Sequence, residues 1–171
     1  MSQLPRPDCL HYDAATGWLM LGDAASAWAE LEKLTPAARK VPAVLELEWG
    51  IHAERRDWIA AAAAAQRLVD LAPQCSFGWI HRAYAARRQE GGGLHRAWDL
   101  LLPALDRFPK DPTVAYNLAC YAAQLGRPDE AWALFQRTLA SAPEPAKYLC
   151  LALTDDDLKP LWPRIHSIRP S

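Results

Sequence analysis

Histidine, cysteine and clustered aspartate are the side chains in this sequence that could move a proton or hold a metal, and their spacing tests that possibility first. His11, His52, His81, His95 and His166 are scattered along the chain. None falls in H-E-x-x-H, the spacing that sets two imidazoles on one helical face around zinc. There is no G-x-S-x-G nucleophile turn and no phosphate loop. Catalysis needs a nucleophile, a base and a group that orients the base, or two carboxylates in a cleft. The sequence offers neither, so no catalytic residue, cofactor-binding residue or cofactor is expected.

The remaining clusters have plainer readings. Gly91, Gly92 and Gly93 precede Leu94, but no Lys-Ser/Thr follows and the element before them has a helical pattern instead of a strand pattern. They read as a flexible turn between helices and not as a phosphate cradle. Asp155, Asp156 and Asp157 read as helix-start chemistry, with Thr154 as N-cap, Asp157 as its capping-box-like partner, and the acidic run at the positive end of a helix dipole. Cys9, Cys75, Cys120 and Cys150 form no C-x-x-C pair and lie far from histidines at ligand spacing. They read as reduced, small core residues, with no disulfide and no metal.

Composition narrows the class. The chain has 171 residues, 51% of them apolar and 23% charged, with a net charge of −1. That describes a globular chain without the basic footprint of a nucleic-acid binder. The longest apolar run, Ile59 to Ala65, is mostly alanine and far below the roughly 18 residues of a membrane span. The opening "MSQLPRPDCLHYD" lacks the charged end and apolar stretch of a secretory signal. A cytoplasmic protein that binds neither nucleic acid nor membrane is expected.

What positions the side chains is a periodic helical pattern. Ala27, Ala61, Ala97 and Ala131 stand 34, 36 and 34 residues apart. Four residues after each comes Leu31, Ala65, Leu101 or Phe135, one turn on and on the same face. Each stretch ends at a proline, namely Pro36, Pro73, Pro109 and Pro143, which cannot continue a helical hydrogen-bond ladder. Gly22 and Gly126 mark turns before the alanines. Tyr84 and Tyr121 match at a spacing of 37, which puts a three-residue insertion in "QEGGGLH". The pattern predicts helices at 8–20, 24–34, 42–55, 58–71, 76–89, 94–107, 112–124 and 128–140, with Pro103 kinking or splitting the sixth. A period in this range means stacked helix pairs.

Two antiparallel helices in about 34 residues, with a small residue, an aromatic or leucine four later and a terminal proline, resemble the tetratricopeptide repeat family. The last unit matches best, through Leu118, Ala119, Ala131, Phe135 and Pro143. Ala115 and Ala122 depart from the family's bulky residues, Ala65 replaces an aromatic, and the first unit is about two residues shorter before Pro36. The resemblance implies an all-α solenoid of about four helix-pair repeats over residues 8–143, in units of about 8–36, 42–73, 76–109 and 112–143. Residues 144–171 then form a capping helix and tail, with Leu158, Leu161, Trp162 and Ile165 as the apolar stripe that covers the last unit.

In that family the first helices line a concave groove that holds a peptide or a partner's helix. The matching positions here are Tyr12, Thr16, Glu46, Gly50, Glu54, Trp79, Ala83, Arg87, Tyr116, Cys120 and Gln124. Asn117 alone matches the polar clamp that some members close on a C-terminal carboxylate, so Trp79 and Tyr116 imply an apolar or aromatic anchor on the partner instead. Trp28, Trp98 and Trp132 sit beside the packing alanines and Trp58 at a turn, where packing is their expected role. The implied function is a non-enzymatic scaffold, monomeric or weakly self-associating, that binds another protein or peptide. The alternative is a secretion-type chaperone shielding an apolar segment of an exported protein. The scaffold is preferred because no helical arm for dimerisation is evident before Asp8.

Overall fold

Short glycine- and aspartate-bearing turns between alanine-rich amphipathic stretches leave helices as the chain's only regular elements among the described residues. The structure, a computed structural model, describes residues 4–168. The first three residues of the opening segment and the last three of the expected tail lie outside them. The chain is all-α and divides after Gly91 into two compact units. The division falls inside the third expected helix pair.

The first unit contains α1 (Asp8–Met20), α2 (Ala24–Leu31), a 3-10 turn (Ala38–Lys40), α3 (Pro42–Glu54), α4 (Trp58–Leu71) and α5 (Ser76–Arg88). Gly22 takes a φ of 78° after α1, and Arg56 takes 57° at the corresponding place after α3. A left-handed residue reverses the chain there, at little cost for glycine and with some strain for arginine. An aspartate then opens the next helix in both turns. Asp23 accepts from the Ser26 amide at 2.9 Å, and Asp57 from the Ala60 amide at 3.0 Å, satisfying amides that have no intrahelical partner.

Helices adjacent in sequence pack in pairs, α1 with α2, α3 with α4 and α4 with α5, and α1 also contacts α3. Ala15, Ala27, Leu31, Leu34, Val44, Leu47 and Ile51 form one cluster of buried side chains, and Leu45, Leu68 and Ala72 another. α5 approaches the α4 backbone closely at Gly78, where a Cβ would stand 3.1 Å from the Val69 backbone nitrogen. Buried Asp8 ties the start of α1 to the loop after α2, accepting from the Thr35 amide and hydroxyl, each at 2.8 Å.

The second unit contains α6 (Leu94–Leu101), α7 (Ala104–Arg107), α8 (Pro112–Gln124), α9 (Pro128–Ser141), α10 (Pro145–Ala152), a 3-10 segment (Asp156–Leu161) and α11 (Trp162–His166). The expected sixth helix is split at Leu102 and Pro103, where proline removes one hydrogen bond and crowds the preceding turn. α8 and α9 form a tight hairpin around Gly126, whose φ is 74°. Ala131, Phe135 and Thr138 on α9 are fully buried, as are Val114, Leu118 and Ala119 on α8.

The C-terminal segment differs from the expected single capping helix. The eight-residue α10 comes first, a 3-10 segment follows and α11 completes it. Asp155, not Thr154, caps the 3-10 turn by accepting from the Asp157 amide at 3.0 Å, and the Thr154 hydroxyl turns back to the Leu151 carbonyl. Pro160 lies within that turn and has no N–H to give an α-helical ladder, so the tighter 3-10 winding takes its place. The apolar stripe is otherwise as read: Leu158, Leu161 and Ile165 are buried, while Trp162 is half-buried and donates its indole N–H to the Ala152 carbonyl at 2.8 Å.

Candidate binding surfaces

In the first unit, α5 presents Phe77, His81, Tyr84 and Arg88 along one face, at steps of four, three and four residues. Trp49 of α3 is the hub against which three of them pack. Its ring lies 4.1 Å from His81, 5.9 Å from Phe77 and 6.1 Å from Tyr84, each nearly edge-on. His81 stacks flat on Phe77 at 3.7 Å, and its Nδ1 bonds the Phe77 carbonyl at 2.9 Å. Burial holds this imidazole below its ordinary pKa, and the carbonyl offsets part of that effect.

The same face ends in a cleft of about 530 Å³ lined by Ala53, Glu54, Arg56, Trp58, Tyr84 and Arg88. The Arg88 guanidinium lies 3.4 Å from the Tyr84 ring centroid and 5.6 Å from that of Trp58. It covers two aromatic faces that attract cations. Glu54 is exposed at the edge, so the cleft offers a carboxylate, guanidinium groups and aromatic surface within one opening.

The other expected groove positions of this unit vary. Glu46 is half-buried, and the Cys75 thiol donates to it at 3.9 Å. Burial raises its carboxyl above the usual range, against a smaller lowering by that thiol. Tyr12 packs on the buried cluster of α1 and α2, and the Thr16 hydroxyl bonds the Tyr12 carbonyl. Gly50 is a packing position, since a Cβ there would stand 3.0 Å from Leu19. Ala83 is fully buried and Arg87 half-buried. Trp79 is half-buried, donates its indole N–H to the Pro73 carbonyl at 3.2 Å and carries the Arg82 guanidinium 5.1 Å from its ring centroid.

A further charged set runs between α3 and α4. Glu48 pairs with Arg67 and lies 3.8 Å from His52 Nε2. Burial raises the Glu48 carboxyl, but His52 and Arg67 outweigh it and hold the group below its ordinary value. Beside this set, Arg39, Lys40, Leu45, Arg67, Asp70 and Leu71 line a second cleft of about 410 Å³.

In the second unit the chain's own C-terminal segment covers two of the expected groove positions of α8, Tyr116 and Cys120, and bonds the third, Gln124, which stays exposed. Tyr116 is 6% exposed, and its hydroxyl donates to Asp155 Oδ2 at 2.9 Å. The Cys120 thiol donates to the same oxygen at 3.6 Å, and the Gln124 amide to the Asp157 carbonyl at 3.1 Å. Burial above all, with Cys120 and Asp155 adding to it, pushes the Tyr116 phenol far above its usual range. Possible ligand atoms of Cys120, Asp155 and Asp157 lie within 4.8 Å of one another. Capping and wall contacts already engage Asp155 through both carboxylate oxygens. Asn117 bonds the Thr113 carbonyl of its own helix.

Trp49, Phe77, Tyr84 and Arg88 were not among the groove residues read from the sequence. The signal existed in the i, i+4, i+7, i+11 stripe on α5, whereas the groove positions implied by the resemblance lie on a different face of that helix. Among the described residues no helix is long and apolar enough to cross a membrane. No protein-family model matches the chain, and no curated protein matches it.

Proposed function

We propose that this chain is a non-enzymatic binding scaffold, a solenoid of about four tetratricopeptide-like helix pairs, that takes a peptide or helical segment of another protein on its first unit. The observation that carries this reading is the cleft of Glu54, Trp58, Tyr84 and Arg88 at the end of the Trp49 aromatic stripe. Aromatic side chains give large contact area for little lost rotamer freedom, and flanking charges set orientation and on-rate. The 34-residue recurrence of left-handed turns at Gly22 and Arg56 supports the repeat reading. Tyr116 acts in this account as part of the covered wall of the second unit, and the anchor role moves to Tyr84 and Trp58.

A displayed library of random peptides, panned against the full chain and against Glu54→Lys with Arg88→Glu, tests the proposal. Wild-type protein should enrich peptides with an aromatic residue next to a charge, and the doubly reversed protein should enrich peptides of the opposite charge pattern. Peptide sets that are the same for both proteins would remove the cleft from the account. No enrichment over a bare surface would remove the scaffold reading itself.

A further inference from the structure

We infer that the outer face of α1 is a self-association surface that takes α1 of a second copy, antiparallel, about a two-fold axis near Ala14 and Gly17. Leu10, Ala14, Gly17 and Leu21 follow one another at helical spacing, with Trp18 and Met20 on the flanks. Leu10, Trp18, Met20 and Leu21 are 53%, 42%, 84% and 78% exposed. At about 200 Å² for a fully exposed large side chain, they leave on the order of 500 Å² of apolar surface, at the upper end of the patches that single chains expose and often use.

The equivalent faces elsewhere in the first unit show what such a stripe receives. Shifted by 34 and 68 residues, Leu10, Ala14 and Gly17 correspond to Val44, Glu48 and Ile51 on α3 and to Gly78, Arg82 and Ala85 on α5. Val44 and Ile51 are fully buried, and Gly78 lies directly against Val69 and Leu68 of α4. The stripe is thus a helix-docking face in α3 and α5, and α1 presents the same face to solvent.

Its profile is self-complementary, which selects a second copy as the occupant. Large side chains at the ends, Leu10 and Leu21, bracket small ones at the centre, Ala14 and Gly17. Antiparallel pairing sets Leu10 beside Leu21 of the second copy and lets the backbones approach at the centre. Two such faces bury roughly 1,000 Å², at the lower limit for a specific interface. The dimer should therefore be weak and concentration-dependent.

Gly17→Glu is the diagnostic variant. A Cβ at Gly17 meets no atom within 4 Å, and glutamate is the better helix former, so the monomer should melt no lower than wild type. In sedimentation velocity at loadings from about 1 μM to 1 mM, wild type should shift from monomer to dimer, and the variant should dimerise at least tenfold more weakly. A wild type that stays monomeric at 1 mM, or a variant that dimerises equally well, overturns the inference. So does a monomeric wild type that co-floats with phosphatidylcholine vesicles while Gly17→Glu does not, since the face would then take lipid.

Discussion

The two units treat an aromatic helix face in opposite ways. In the first, the cleft beside Glu54, Trp58, Tyr84 and Arg88 is open. In the second, Tyr116, Cys120 and Gln124 of α8 all bond the segment that begins at Asp155. Both walls are built from helices of 13 residues with similar small and aromatic content. The difference lies in what the chain does afterwards. After α9 it has 27 further described residues, and these carry Leu158, Leu161 and Ile165 into buried positions. A helix face is therefore open only where no later segment of the chain has already bonded to it.

The largest expected effect removes the cover. Leu158 is fully buried, so Leu158→Ala should destabilise the chain by about 2–5 kcal/mol through lost burial and a residual cavity, measured by urea denaturation. A loss below about 1 kcal/mol would mean that the segment is not part of the packed structure. A smaller effect is expected in the first unit, where Asp57 caps α4. Asp57→Ala should cost about 0.5–2 kcal/mol, whereas Asp57→Asn, which can still accept from the Ala60 amide, should cost less. Equal losses from the two variants would count against the cap.

Much of the fold was legible because the deciding signals are local. Asp8–Met20, Trp58–Leu71 and Pro112–Gln124 have the bounds read from the sequence. Proline removes a bond, and glycine permits a positive φ, wherever they stand. Ala27, Ala61, Ala97 and Ala131 are all fully buried, since only a small side chain lets two helices approach at those points. The candidate site was less legible. Tyr116 meets Asp155 across 39 residues, and nothing in "AYNLACYAAQ" indicates that partner. Arg56 takes the left-handed turn that Gly22 takes one period earlier, so the turn after α3 carries no glycine to mark it. α10 was missed because "PAKYLCLA" is too short to establish a period.

The smallest expected effect concerns pH and belongs to the open wall. Burial raises the Glu46 carboxyl in the folded chain, so holding it ionised costs stability at neutral pH. That cost fades as pH falls through the folded value toward the unfolded value near 4.3. Glu46→Gln should therefore melt higher than wild type at pH 7, and the two curves should converge near pH 4.5. A gap that widens on acidification would reverse the sign and place Glu46 in a stabilising pair.

The contrast between the walls is tested most directly by the rates at which their cysteines are alkylated in the folded, full-length chain, followed by mass spectrometry. Cys75 borders the wall of the first unit beside Glu46, Cys120 lies on the wall of the second beneath Asp155, and exposed Cys150 serves as the internal standard. Cys150 should react first and Cys75 next, with Cys120 at least about tenfold slower than Cys75 because it must wait for local opening; in denaturant the three rates should converge. Cys120 reacting as fast as Cys75 in the folded chain would contradict the account, since the second wall would then be as open as the first.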